Sequence, residues 1–92
     1  MSRVKTRTKG RTDSKSTKLH RLLLVEPKEH ATMDSLAERL VSFKAIHEVI
    51  LKDHKRGYLL KLRFLPGQEP RNVKGYLSER ISRNYGEVME IR

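Results

Sequence analysis

Leu22-Leu23-Leu24-Val25 is the first continuous apolar run of the chain, and Pro27 closes it. A short run with no polar face predicts a strand covered on both sides, over His20–Pro27. The period then changes. Met33, Leu36, Ala37, Leu40, Val41 and Phe43 fall on one stripe of a helix, with Glu38, Arg39 and Ser42 mostly off it. Ser35-Leu36-Ala37-Glu38 has the form of a capping box, and Thr32 or Asp34 are further candidate caps. Ala45–Asp53 and Gly57–Leu65 read as two strands joined by the polar turn Asp53-His54-Lys55-Arg56-Gly57, hence an antiparallel hairpin. In the second of them Tyr58, Leu60, Leu62 and Phe64 share one face, and Leu59, Lys61, Arg63 and Leu65 share the other.

Pro66-Gly67 ends that strand, and Pro70 is placed to open a second helix. Val73, Tyr76, Leu77 and Ile81 give its apolar stripe. Gly75 interrupts the stripe, and Gly86 is expected to stop the helix in a left-handed turn. Val88–Ile91 reads as a last short strand. The expected core is Leu22, Leu24, Leu36, Leu40, Leu60, Leu62, Val73, Leu77 and Ile81.

The order β-α-β-β-α-β, with right-handed crossovers, predicts an α+β ferredoxin-like domain over residues 20–92. It would be a four-stranded antiparallel sheet with two helices on one face. The other face would carry Leu59 and Leu65 mixed with Lys61 and Arg63, a part-apolar surface of the kind that partners use.

Charge divides the chain differently. Residues 1–21 hold eight Lys or Arg against one acid, Asp13, and residues 22–92 hold thirteen against ten. Residues 1–19 have only Met1, Val4 and Leu19 to bury, so they are expected to form a disordered basic arm. The alternation Arg3, Lys5, Arg7, Lys9, Arg11 could line one side of a strand. Nothing apolar occupies the other side, so an isolated strand is not expected. The same absence of an apolar face argues against an organelle transit peptide. The arm is either a solvated aid to solubility or a set of phosphate-backbone contacts, salt-sensitive and independent of sequence. It holds no aromatic residue, so base stacking is not indicated.

Ninety-two residues less that arm leave one small domain, for which a partner subunit would help burial. The absence of cysteine excludes disulfides and thiolate metal sites and fits a cytoplasmic location. No apolar run is long enough to span a membrane, so no membrane partner is expected. His20, His30, His47 and His54 have no helical i, i+4 spacing and no carboxylate cluster, which argues against a metal site. No phosphate-binding loop, nucleophile elbow or dinucleotide fingerprint occurs, so neither an enzyme nor a cofactor is expected. Pro27-Lys28-Glu29-His30 follows the first strand, where an acylphosphatase has its glycine-rich loop and a metal-carrying domain its Cys pair. Tyr58 and Phe64 share their face with Leu60 and Leu62, so they are expected in the core rather than as stacking platforms for RNA.

The stretches Phe43-Lys44-Ala45-Ile46-His47-Glu48-Val49-Ile50-Leu51 and Gly57-Tyr58-Leu59-Leu60-Lys61-Leu62-Arg63-Phe64 carry a family likeness. From about Leu22 to Ile91 the chain resembles the ligand-sensing, dimerising RAM domain of the Lrp/AsnC transcription regulators. The resemblance implies the ferredoxin-like fold and pairing of copies through their sheets. The turn departs from the family pattern, with basic residues where that pattern has Gly and an acidic residue near its effector pocket. The arm is too short and too polar to be the family's helix-turn-helix domain.

The functional expectation is a non-catalytic binding and assembly module, a homodimer through its sheet face, whose arm contacts nucleic acid or another acidic partner. A small-molecule effector or a larger protein assembly are further partners the resemblance allows. The alternative is a direct DNA- or RNA-binding protein in which the hairpin joins the arm. The candidate contacts are Arg3, Lys5, Arg7, Lys9, Arg11, Lys15 and Lys18 in the arm, with Lys52, Lys55, Arg56, Lys61 and Arg63 on the hairpin.

Overall fold

The computed structural model describes residues 3–9 and 18–91. Its strands are β1 (Val4–Thr8), β2 (Leu19–Val25), β3 (Ile46–His54), β4 (Gly57–Phe64) and β5 (Glu87–Glu90). Helix α1 is Met33–Val41. A second helical body, 73–85, runs as α2 (Val73–Leu77), a π segment (Ser78–Ser82) and a last turn, α3 (Arg83–Tyr85). The five strands form one antiparallel sheet in the order β1-β3-β4-β2-β5.

The sheet therefore has five strands, not four. The added one is Val4–Thr8, inside the segment expected to be a disordered arm. It is not an isolated strand. It pairs along the edge of β3, from Val4 opposite Lys52 to Thr8 opposite Glu48. The backbone ladder and the side chains on α1 supply what its own composition lacks. The rest of the expected arm, residues 10–17, lies outside the described residues.

Alternation decides which side chains enter the core. Leu22 and Leu24 of β2, Val49 and Leu51 of β3, and Leu60, Leu62 and Phe64 of β4 face the helices. They close on Leu36, Ala37 and Leu40 of α1 and on Leu77 and Ile81 of the second helical body. Leu23 and Val25, on the opposite face of β2, are also buried, because β2 lies between β4 and β5. Of the expected core residues, Val73 is the one left half-buried, at the first turn of its helix.

Phe64 is buried and Tyr58 packs against the core, so neither offers a stacking surface. In β3 a bulge between Ile46 and Glu48 places His47 in a buried position.

The helix starts decide between the candidate caps of α1 and move the start of the second helix. Thr32, not Ser35, caps α1: its hydroxyl accepts the Ser35 N–H at 3.1 Å. Asn72, not Pro70, stands at the start of α2, where its side-chain oxygen accepts the Gly75 N–H at 3.0 Å. That cap explains the glycine in the stripe, since a Cβ on Gly75 would lie 2.8 Å from the Asn72 amide nitrogen. Gly86 does end the helical body, but at φ 149°, ψ −164° rather than in the left-handed helical well. Gly57 opens β4 against β2 so closely that a Cβ there would lie 2.0 Å from the Leu24 carbonyl oxygen.

Candidate functional site

The basic alternation of β1 points at the molecule's own acids. Lys5 and Arg7 face the helix side, where α1 presents Asp34 and Glu38 one turn apart. Lys5 Nζ lies 2.9 Å from Asp34 Oδ1, and Arg7 Nη2 lies 3.5 Å from Glu38 Oε1. Arg3 holds Asp53 at 3.2 Å, and its backbone N–H donates to the same carboxylate. Lys9 Nζ donates to the Phe43 carbonyl oxygen. Four of the arm's candidate phosphate contacts are thus engaged within the fold, Arg3, Lys5 and Arg7 in solvent-exposed ion pairs and Lys9 in a part-buried contact.

These contacts give β1 a pH dependence. Hydrogen bonding from Lys5 holds Asp34 below its ordinary pKa of 3.8, and hydrogen bonding from Arg3 does the same to Asp53. A depressed carboxylate pKa stabilises above the ordinary value and ceases to do so as pH falls through the folded one. Acidification below about pH 4 is therefore expected to release β1 before the central strands. Amide-exchange protection factors of Val4–Thr8 against those of Leu60–Phe64 check this. Parallel loss of protection in both segments would contradict it.

The hairpin cations are arranged otherwise. Arg63 Nε meets Glu48 Oε1 at 3.1 Å, a cross-strand pair. Lys55 and Arg56 are exposed at the turn, where the Arg56 backbone N–H donates to His54 Nδ1 at 3.1 Å. Lys52 and Lys61 come together on the sheet face opposite the helices, with Arg21 beside them. Arg21 is directly opposite Lys61 in the β2–β4 ladder, and Lys52 is diagonal to Lys61 in the β3–β4 ladder.

The neighbouring Lys52 ammonium lowers the Lys61 pKa below its ordinary value, with burial and Arg21 adding to the shift. Among the described residues no carboxylate pairs with any of the three. Three adjacent cations without a counter-charge repel one another, and an anion above them removes that repulsion. No Phe or Tyr shares this face, because Tyr58 and Phe64 point into the core. Arg21 was not among the sequence-based candidates. Its signal was its place one residue before the apolar run, which fixes it on the outward side of β2.

Lys18 is exposed just before β2. It joins Arg21, Arg71 and Lys74 around a cavity of about 530 Å³ beyond the end of β5. Arg11 and Lys15 lie outside the described residues. Among the described residues no group of three or more His, Cys, Asp or Glu side chains gathers as metal ligands. None of the helices is long and apolar enough to cross a membrane.

Comparison of the chain with family models, with curated proteins and with solved structures finds no match.

Proposed function

We propose that the chain is a non-catalytic module that binds the phosphate backbone of double-stranded nucleic acid through the open face of its sheet. The observation that carries this reading is the cluster Arg21, Lys52 and Lys61, three adjacent cations with no carboxylate among the described residues to pair them. Lys55 and Arg56 extend the positive surface to the hairpin turn. The lack of aromatic side chains on the face favours a duplex over a single strand, whose binding relies on stacked bases. The contacts would position the protein without reading sequence.

We read the β2–β5 unit as ferredoxin-like, since its strands take the order β3-β4-β2-β5 with β1 appended at the outer edge. The RAM resemblance implies a second copy on the same open face. Burying Arg21, Lys52 and Lys61 of both copies is costly unless each meets an acid. Val4 and Ile91 are the exposed large apolar side chains among the described residues, and Ile50 and Leu59 beside the cations are half-buried. The charge cluster therefore favours an anionic partner over a second copy.

The test is an electrophoretic shift of a duplex by the full chain at low and at physiological salt, with light scattering on the free protein. Binding that weakens steeply with salt is expected. No shift at low salt would overturn the proposal, and a stable dimer without a shift would assign the face to a second copy.

A further inference from the structure

We infer that the cavity beyond the end of β5 is a separate binding site for the phosphate of a nucleotide. It forms because β5 is shorter than β2. Glu87–Glu90 covers only Leu22–Val25, so among the described residues Leu19–Arg21 runs on without a paired strand on that side. The segment leading into α2 and the first turn of that helix close the gap and bring Arg71 and Lys74 to it. Lys18, just before β2, and Arg21, within it, line the other side. Among the described residues four cations thus line one concavity against a single carboxylate, Glu90. Among the described residues none of the four forms an ion pair.

The open-face cluster is set on strands, whereas this site is an open groove at the sheet edge. Its volume of about 530 Å³ falls in the range of small-ligand pockets, about 300–1,000 Å³. The cations alone would suit any polyanion. The apolar lining narrows the class: Leu19 and Val73 are half-buried, Leu22 is buried and Ile91 is exposed, all against the same space. An anion with an uncharged planar or sugar portion uses both parts of this lining. A nucleoside di- or triphosphate has that form, and so does the terminal phosphate and last nucleotide of a strand.

The inference stands apart from the open-face reading, because only Arg21 is common to the two sites. Calorimetric titration of the full chain with adenosine triphosphate, inorganic triphosphate and adenosine tests it. Adenosine triphosphate is expected to bind, and to bind more tightly than either part. Arg71→Glu combined with Lys74→Glu is expected to weaken binding about tenfold or more, through repulsion at short range. Both residues are exposed, so circular dichroism and the melting temperature should not change. Lys52→Glu, which does not face Arg21 in the ladder, should leave nucleotide binding in place.

Competition by duplexes with a 5′-phosphate and with a 5′-hydroxyl separates the two sources. Displacement by the phosphorylated end alone places the strand terminus in the cavity, and displacement by neither leaves the free nucleotide. Absence of triphosphate binding at low salt would overturn the inference. So would affinity unchanged by the Arg71 and Lys74 reversals, or inorganic triphosphate binding as tightly as the nucleotide.

Discussion

Leu62→Ala is expected to lower the unfolding free energy by about 2–5 kcal/mol, measured by urea unfolding. Leu62 is fully buried in β4, next to both β3 and β2 in the sheet. It lies opposite Val49 on one side and His20 on the other, under the helix layer. The packed neighbours on three sides cannot collapse fully into the space the side chain leaves, which adds a cavity term to the lost transfer energy. Lys61, one residue earlier, points to the open face. Its replacement by Ala should change stability by no more than about 0.5 kcal/mol, the ordinary range for a surface site. The contrast between adjacent residues reads the strand phase directly. A loss below about 0.5 kcal/mol for Leu62→Ala would mean that the alternation is out of register.

That phase was legible because β4 alternates plainly. Tyr58, Leu60, Leu62 and Phe64 leave no doubt about the inner face, and the Asp53–Gly57 turn fixes the hairpin partner. The paired positions Leu51–Leu60 and Val49–Leu62 follow from the turn. The β1 strand was not legible, for a physical reason. Period-two patterning identifies a strand by the apolar face it buries, and β1 buries none. Its inner face is Lys5 and Arg7, and their counterparts Asp34 and Glu38 are some thirty residues away on α1. An i, i+2 pair of cations facing an i, i+4 pair of acids is a signal only after the two elements are placed side by side.

The candidate site was legible in part, for the same reason. Sequence position marks a cation but not the acid it meets across the fold. Arg63 and Lys61 look equivalent along β4. The bulge at Ile46–Glu48 sets Glu48 opposite Arg63, while Lys61 has Ile50 and Arg21 as its cross-strand neighbours. The unpaired cluster therefore emerges from register, which composition does not contain. The capping box is a local instance. Ser35-Leu36-Ala37-Glu38 and Thr32 compete for the start of α1, and the Thr32 hydroxyl takes the Ser35 N–H.

Lys52→Glu combined with Lys61→Glu is expected to reduce duplex affinity by about 100-fold at low salt and to flatten its salt dependence. Each neutralised phosphate contributes about −0.9 to the slope of log K against log salt, so losing two contacts should change the slope by about 2. The fold should tolerate the change. Both side chains lie on the face away from the helices, and Arg21 beside them offers a counter-charge to the new carboxylates. Lys5→Ala with Arg7→Ala is the informative comparison. In the folded protein these cations are occupied by Asp34 and Glu38, so their loss should loosen β1 and leave the salt slope nearly unchanged. The opposite result is equally readable. A flattened slope in the β1 variant, with an unchanged slope in the Lys52 and Lys61 variant, would mean that the duplex strips β1 from its acids. The phosphate contacts would then belong to the N-terminal strand rather than to the open face. Equal binding by both variants and the native chain would exclude the open face and β1 together.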